Sequence, residues 1–205
     1  RNHQFRGSVP NLAITDNIIK ENKDGLYLTH TTAGTITHNT LTHNTLTGIT
    51  LWFSNTHRIT NNTCETNSIA IKLISSTNNH IIHNTIQDHT TGILSQAGST
   101  NNLLYHNTFI DNIQSASDAN LNTWNNNYPS GGNYWDDYTG LDNNHDGIGD
   151  IPYTIQGGIS QDKYPLLDPP GPKNLTIHIQ TGLGLKIIIT NTGSTPLYQT
   201  TIDCI

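Results

Sequence analysis

An asparagine recurs through the first half of the chain at an almost fixed interval. It is the fourth residue of the segments ITDNII, ITHNTL, ITNNTC, IIHNTI and LYHNTF, and the successive intervals are 22, 23, 22 and 23 residues. An aliphatic residue lies three positions before each asparagine, and an apolar residue lies two positions after it. The asparagines are Asn17, Asn39, Asn62, Asn84 and Asn107. A fixed period in the twenties predicts a solenoid, in which each turn buries its apolar face only against neighbouring turns.

The residue types within each repeat favour strands. Thr, Ile and Asn alternate in short runs, whereas the Leu-x-x-Leu-x-Leu pattern and helical segment of leucine-rich repeats are missing. A repeat of this length, interpreted as strand, turn, strand, turn, fits an all-β fold, the right-handed parallel β-helix. Equivalent positions then stack about 4.8 Å apart. Because inward asparagines can hydrogen-bond to one another at that spacing, we interpret them as a structural ladder and not as a catalytic array.

The composition changes after the fifth repeat. We interpret residues 1–130 as β-helix repeats. Residues 131–167 are aromatic and acidic and are predicted to cap the coil, because an open solenoid end exposes unpaired strand edges. Residues 168–172, DPPGP, form a stiff linker. Residues 173–205 alternate as two or three short strands and are interpreted as the start of a β-sandwich module.

One segment of the predicted cap, DNNHDGIGD, has the spacing of a calcium-binding loop. Oxygen-bearing side chains fall at loop positions 1, 3, 5 and 9, a glycine at position 6 and a backbone carbonyl at position 7. The predicted ligands are Asp142, Asn144, Asp146, Ile148 and Asp150. Tyr153 replaces the glutamate of position 12, which excludes a standard EF-hand, and Asp136, Asp137 or Asp162 is available as a further ligand. We expect a structural Ca²⁺ in the cap, and the alternative is an Asp/Asn/Gly turn without metal.

Three of the eleven histidines, His38, His83 and His106, directly precede a ladder asparagine. If the asparagines point inward, these neighbours point outward and form an exposed stripe. His83 and His106 lie one turn apart, close enough to share a soft metal ion. Two interpretations stay open: a solvated polar stripe, or a Cu²⁺ or Zn²⁺ site that is lost when both residues are replaced.

The composition argues against several functional classes. The net charge is −6 and only 12% of the residues are charged, which disfavours a nucleic-acid-binding surface. No apolar run approaches the ~20 residues of a membrane span. The basic residues are scattered over different repeats and the acidic residues form no evident pair, so neither a lyase nor a glycosidase site is predicted. The chain lacks Met and an apolar leader, as expected for a processed chain or a piece of a longer protein.

The repeats I-x-x-N-x-I and G-I-x-L, followed by GGNYWDDYTG…DNNHDGIGDIPY…DKYPL, resemble the NosD-like family of β-helix repeat proteins, also called the carbohydrate-binding and sugar-hydrolase (CASH) domain. The resemblance covers about residues 11–167, and the end segment is similar to the end of this domain in surface proteins of methanogenic archaea. It implies a right-handed β-helix in an exported protein, often beside β-sandwich modules. Known members include an accessory protein for copper-enzyme maturation, sugar-active enzymes and surface proteins. The acids of the sugar hydrolases have no counterpart here.

These observations predict a non-catalytic extracellular protein of an archaeal cell surface or sheath, with a structural or adhesive role. The expected partners are other copies of the chain or other envelope proteins, together with glycans. Neither nucleic acid nor a membrane span is expected. The alternative is a carbohydrate-active enzyme, of the polysaccharide lyase or hydrolase type, or its glycan-binding subunit.

Overall fold

The computed structural model describes residues 3–6, 12–171, 175–180 and 186–191. Within these residues the regular secondary structure consists of β-strands. In chain order the strands of the repeat region are β1 (His3–Arg6), β2 (Ala13–Thr15), β3 (Ile18–Lys20), β4 (Asp24–Thr29), β5 (Thr35–Thr37), β6 (Thr40–Thr42), β7 (Thr47–Trp52), β8 (Arg58–Thr60), β9 (Thr63–Glu65), β10 (Ile69–Ile74), β11 (His80–Ile82), β12 (Thr85–Gln87), β13 (Thr91–Gln96), β14 (Leu103–Tyr105), β15 (Thr108–Ile110), β16 (Gln114–Asp118) and β17 (Tyr134–Trp135). They stack as a parallel β-solenoid of about five turns, which confirms the predicted fold class.

Each turn gives one strand to each of three parallel sheets. Sheet A has the order β1-β4-β7-β10-β13-β16, sheet B the order β14-β11-β8-β5-β2, and sheet C the order β17-β15-β12-β9-β6-β3. Equivalent residues of successive turns lie side by side, as Ile36 does with Ile59 and Leu41 with Cys64. The 22- or 23-residue period therefore keeps every column of side chains in register through the coil.

The core consists of stacked aliphatic columns between the three sheets. In the three-residue strands of sheets B and C, the central side chain points inward while its neighbours are more exposed. The sheet B column contains Ile14, Ile36, Ile59, Ile81 and Leu104, and the sheet C column contains Ile19, Leu41, Cys64, Ile86 and Phe109. Such a narrow core needs few apolar residues, in keeping with the 33% hydrophobic content.

The predicted strand-turn-strand-turn repeat is wrong in one respect, because each turn has three strands. The segment ITHNTL, for example, is not one strand. His38 adopts a φ of 55°, so the chain bends there and separates β5 from β6. A residue in this left-handed region cannot continue a strand.

Aromatic rings close the C-terminal end of the core. Trp135, on β17, stacks between Phe109 and Tyr153, with ring centroids 4.2 Å apart on either side. Trp124 packs against Trp135 at 5.9 Å. Two further strands, β18 (Tyr153–Thr154) and β19 (Gln161–Asp162), pair antiparallel beside this stack. The rings thus extend the column of Phe109 and cover the last turn.

Two longer strands follow the proline-rich segment. They are β20 (Leu175–Gln180) and β21 (Lys186–Asn191), and they pair antiparallel, which is consistent with the predicted start of a β-sandwich. The third strand that the sequence allows falls after residue 191, outside the described residues. Within the described chain, no helical segment has the length and hydrophobicity that crossing a membrane requires.

Candidate functional site

The five ladder asparagines lie one above another at the bend between sheets B and C. In each step the backbone N–H and the Nδ2 group of one asparagine both donate to Oδ1 of the next, at 3.0 Å. Nδ2 also donates to a carbonyl of the preceding turn, as from Asn84 to Ile59 at 2.9 Å. All members except Asn17 are buried. Their polar groups are engaged within the coil, which makes the ladder a structural element.

The ladder continues into the cap and ends on a buried carboxylate. Asn107 donates to Oδ1 of Asn133, and the Asn133 N–H donates to Asp162 at 2.6 Å. Asp162 also accepts hydrogen bonds from Trp135 Nε1 at 3.0 Å and from the Tyr164 N–H at 3.1 Å. Burial raises the pKa of Asp162 to about 6, against the opposing effect of these donors. The side chain considered as a further calcium ligand is therefore engaged in the ladder and the aromatic cap.

Two other bends carry ladders that the prediction misses. Between sheets C and A the stacked residues are Asn22, Asn44, Asn67, His89 and Asn112. Between sheets A and B there are a hydroxyl ladder of Thr31, Ser54, Ser76 and Ser99 and a mixed ladder of Gly34, His57, Asn79, Asn102 and Asn122. These ladders follow the same 22- or 23-residue period as the first one. The period is harder to see in the sequence because the residue type changes from one turn to the next.

His57 and His89 take the place of asparagine in these ladders. His57 Nδ1 accepts the Gly34 N–H at 2.9 Å, so its proton resides on Nε2, which lies 3.0 Å from Thr31 Oγ1. His89 Nε2 lies 3.1 Å from the carbonyl oxygen of Cys64, and Nδ1 lies 3.1 Å from the backbone nitrogen and 2.9 Å from the carbonyl oxygen of Asn67. Burial lowers the pKa of both histidines. These two residues have structural roles and offer no open ligand position.

The residue before each inward asparagine points out of the coil. At the bend between sheets B and C these residues are Asp16, His38, Asn61, His83 and His106, with φ between 54° and 58°. Asn, Asp and His enter this left-handed region more readily than most residues, which explains their use at the bend. The histidine stripe therefore lies on the outside, and the rings of His83 and His106 approach to 5.0 Å between centroids.

The carboxylates of the predicted calcium loop accept hydrogen bonds from backbone N–H groups of the same loop. Asp142 accepts the N–H groups of Asp146 at 3.2 Å and Gly147 at 2.9 Å. Asp146 accepts the Ile148 N–H at 2.8 Å, and Asp150 accepts the Asn143 N–H at 2.8 Å. The Asn144 amide donates to Asp146 at 2.9 Å. Across the described residues, no group of three or more His, Cys, Asp or Glu side chains is arranged to hold a metal ion.

A groove with exposed aromatic rings crosses the outer face of sheet A. It has a volume of about 350 Å³ and spans β4, β7 and β10. Trp52 is 41% exposed in it, and the rings of Tyr27 and Trp52 meet edge to face at 6.1 Å. Phe53, next to Trp52, is 46% exposed and stacks on His30 at 5.2 Å. Trp52 and Phe53 also stack on each other at 6.1 Å, so these rings form one exposed aromatic patch.

Polar groups accompany these rings in the same groove. Asp24 accepts a hydrogen bond from Thr47 Oγ1 at 2.8 Å, and the hydroxyls of Thr47 and Thr50 lie 2.8 Å apart. Lys23 and Lys72 also line the groove. Asp24, Thr47 and Thr50 are buried beneath the groove, so the groups that it exposes are the aromatic faces and the two ammonium groups. The sequence gives little sign of this, because Tyr27 and Trp52 are far apart along the chain and come together only through the stacking of turns.

The three-sheet coil with inward polar ladders defines the protein class as a parallel β-helix. The family model described as periplasmic copper-binding protein (NosD) matches residues 6–140, and the chain belongs to this family. The family is thus one of proteins outside the cytoplasm. The match covers the coil and ends before the loop of residues 142–150. A comparison with curated proteins gives no match.

Proposed function

We propose that this protein is a non-catalytic component of the cell envelope that adheres to polysaccharide through the groove on sheet A. The observation that carries the proposal is the exposed ring of Trp52, set beside Tyr27 on a parallel sheet. Exposing a large aromatic surface to water costs hydrophobic free energy, and a binding partner that covers it recovers that free energy. Family membership supports a location outside the cytoplasm.

The chemistry of the groove favours a polysaccharide as its partner. Sugar rings present apolar C–H faces that pack on aromatic rings such as those of Tyr27 and Trp52. Lys23 and Lys72 are two of only nine Lys and Arg residues in a chain of net charge −6. They supply local positive charge on an otherwise acidic protein, which suits the carboxylates of an acidic polysaccharide. The proposed partner class is accordingly an anionic glycan.

Replacing Trp52 with alanine is expected to weaken binding to alginate, an acidic polysaccharide, by about 2 kcal/mol, or about 30-fold, the size of loss typical of a buried aromatic anchor. Because Trp52 is partly exposed and lies outside the core, the fold should survive the change. Affinity electrophoresis against alginate and neutral xylan measures the effect. Tyr128, an aromatic residue that is 58% exposed and lies outside the groove, provides the matched control Tyr128→Ala.

Equal binding of alginate by the wild type and by Trp52→Ala would contradict the proposal that the groove binds polysaccharide. Release of new reducing ends from either polysaccharide would instead favour a carbohydrate-active enzyme. A third possibility is that sheet A contacts other copies of the protein. Light scattering and electron microscopy of the purified chain detect such assembly. Trp52→Ala would then abolish assembly without changing glycan binding.

The calcium site of the cap is a second proposal. An ionised carboxylate has about four lone-pair sites, so the hydrogen bonds of Asp142 and Asp146 leave positions for an ion. Binding requires the side chains of Asp146 and Asp150 to turn towards a common centre. The hydrogen bonds of Asp142 already hold the loop curved, which favours such a rearrangement.

Calcium is expected to raise the melting temperature of the protein relative to a chelator. An ion present at a hundredfold excess over its Kd stabilises the folded state by about 2.7 kcal/mol. Thermal denaturation in Ca²⁺ and in EGTA measures the difference, and Asp142→Asn should abolish it while Mg²⁺ should not reproduce it. Coincident melting curves in Ca²⁺ and EGTA would leave the loop as a hydrogen-bonded turn.

A further inference from the structure

An asparagine in the outward stripe at the bend between sheets B and C begins an acceptor triplet for N-glycosylation. Asn61, Asn62 and Thr63 match the pattern Asn-x-Ser/Thr, in which x is any residue except proline. This triplet is the only one of its kind in the described part of the chain, and a second one begins at Asn174, outside that part. Because such triplets also arise by chance in a chain rich in Asn and Thr, the structural setting of Asn61 decides its meaning.

The fold of the turn directs the first and third residues of the triplet outward. Asn61 lies at the bend with a φ of 55°, and Thr63 is the first residue of β9. Both are exposed, whereas Asn62 is 1% exposed and donates from Nδ2 to Asn84 Oδ1 at 3.0 Å within the ladder. A glycan-transferring enzyme needs access to the amide of the asparagine and to the hydroxyl of the threonine, and the folded coil presents both on its surface.

The main chain of Asn61 is fixed, while its side chain is accessible. The Asn61 N–H donates to the carbonyl oxygen of Ile82 at 3.3 Å. Among the described residues, no hydrogen bond involves the Asn61 amide group or the Thr63 hydroxyl. At the equivalent bend one turn earlier, by contrast, the ring of His38 hydrogen-bonds to Thr37 Oγ1 at 3.0 Å. The two groups that a glycan-transferring enzyme contacts are therefore not engaged within the coil.

The position of Asn61 on the coil keeps a modification clear of the groove. Asn61 follows β8, the middle strand of the five in sheet B. The bend between sheets B and C does not adjoin sheet A, where the groove of Tyr27 and Trp52 lies. A bulky, hydrated group on Asn61 therefore covers the middle of this bend and leaves the groove open.

We propose that Asn61 is the acceptor of an N-linked glycan. The donor class is an oligosaccharide joined through its anomeric carbon to a lipid phosphate or diphosphate. A bond forms between Asn61 Nδ2 and the anomeric carbon, and the bond from that carbon to the phosphate oxygen breaks. The amide loses one proton, and the lipid phosphate leaves with the electron pair. Exported proteins receive this modification, which agrees with the match to a family found outside the cytoplasm. The modification does not depend on what the groove binds.

The test is mass spectrometry of the peptide of residues 59–72, which trypsin releases by cleavage after Arg58 and Lys72. In protein isolated from the cells that produce it, this peptide is expected to carry a glycan. Electron-transfer fragmentation assigns the glycan to Asn61 or to one of the other two asparagines of the peptide. An unmodified peptide throughout the isolated protein would overturn the proposal, as would a glycan on either of the other asparagines.

Variants secreted from a host that has an oligosaccharyltransferase provide the controls, in an Asn174→Gln background that removes the second triplet. Asn61→Asp and Thr63→Val are expected to lose the glycan completely, while Thr63→Ser should retain it. Aspartate suits the bend, since Asp16 holds the equivalent position with a φ of 58°, and valine keeps the β-branched shape of threonine. Thermal denaturation checks that both variants fold.

His38→Asn supplies a gain of modification, because it creates the same triplet at the equivalent bend one turn earlier. This variant is expected to carry a second glycan, on the tryptic peptide of residues 24–58. A glycan that persists in Asn61→Asp or in Thr63→Val would overturn the assignment. Failure of His38→Asn to gain a glycan would contradict the accessibility of the bend on which the proposal depends.

Discussion

Replacing Asn84 with alanine is expected to reduce the free energy of unfolding by about 4 kcal/mol. The backbone N–H of Asn62 has Oδ1 of Asn84 as its partner at 3.0 Å, and the substitution leaves this buried donor unsatisfied, at a cost of about 1–3 kcal/mol. The carbonyl of Ile59 loses the bond from Nδ2, and Asn62 and Asn107 each lose one side-chain bond. Each of these bonds contributes about 1 kcal/mol.

Urea denaturation of the wild type and of matched variants measures this effect through the transition midpoint at constant m. Asn61→Gly removes an exposed amide from the adjacent bend and keeps the positive φ, so it should change stability by no more than about 0.5 kcal/mol. Asn17→Ala, at an exposed ladder position, should have an intermediate effect. Equal losses for Asn84→Ala and Asn61→Gly would show that the ladder does not hold the coil together.

Replacing Trp135 with alanine is expected to destabilise the cap by about 3–5 kcal/mol, the usual cost of removing a large buried aromatic side chain. The ring is 1% exposed and lies between Phe109 and Tyr153. Its removal opens a cavity at the end of the core and takes the Nε1 donor from Asp162, whose charge is then less well compensated. The same change exposes the end of the Asn ladder to water.

Trp135→Phe separates these two contributions, because it keeps an aromatic ring in the stack but lacks the N–H that binds Asp162. We expect this variant to lose about 1.5–3 kcal/mol, the range for a hydrogen bond to a charged group. Denaturation midpoints, together with limited proteolysis of residues 134–166, measure the loss. Tyr134→Ala, on the neighbouring half-buried side chain, is the control. A stability of Trp135→Ala close to that of Tyr134→Ala would contradict a capping role for the indole.

The sequence predicts those features of the fold that depend on a repeated residue type, and it misses those that depend on backbone conformation. A single residue type repeated at Asn17 to Asn107 gave both the period and the inward direction of one column, which was enough to predict a parallel β-helix. The other ladders obey the same period, but His89 and Ser54 satisfy the same donors with different side chains, so residue identity does not reveal them. The third strand of each turn depended on the φ of residues such as His38, which no residue type dictates.

The candidate sites also differ in how far the sequence predicts them. His83 and His106 were brought together by the period alone, since equivalent positions must stack. The groove of Tyr27 and Trp52 required the register of sheet A and the diagonal contact between two columns. In the loop of residues 142–150 the spacing of oxygen atoms was visible in the sequence, whereas the hydrogen bonds that now engage those oxygen atoms depend on the local fold.

Because the turns share one register, the number of turns can change without altering the two ends of the coil. Each turn presents to the next the same donors, acceptors and apolar column, as the pairing of Asn39 with Asn62 and of Asn62 with Asn84 illustrates. Gene duplication or loss of one 22- or 23-residue unit would therefore join equivalent positions, and the aromatic cap would shift along the axis by one strand spacing of about 4.8 Å. Evolution can thus adjust the reach of this molecule in fixed increments while its surface patches and its ends stay intact.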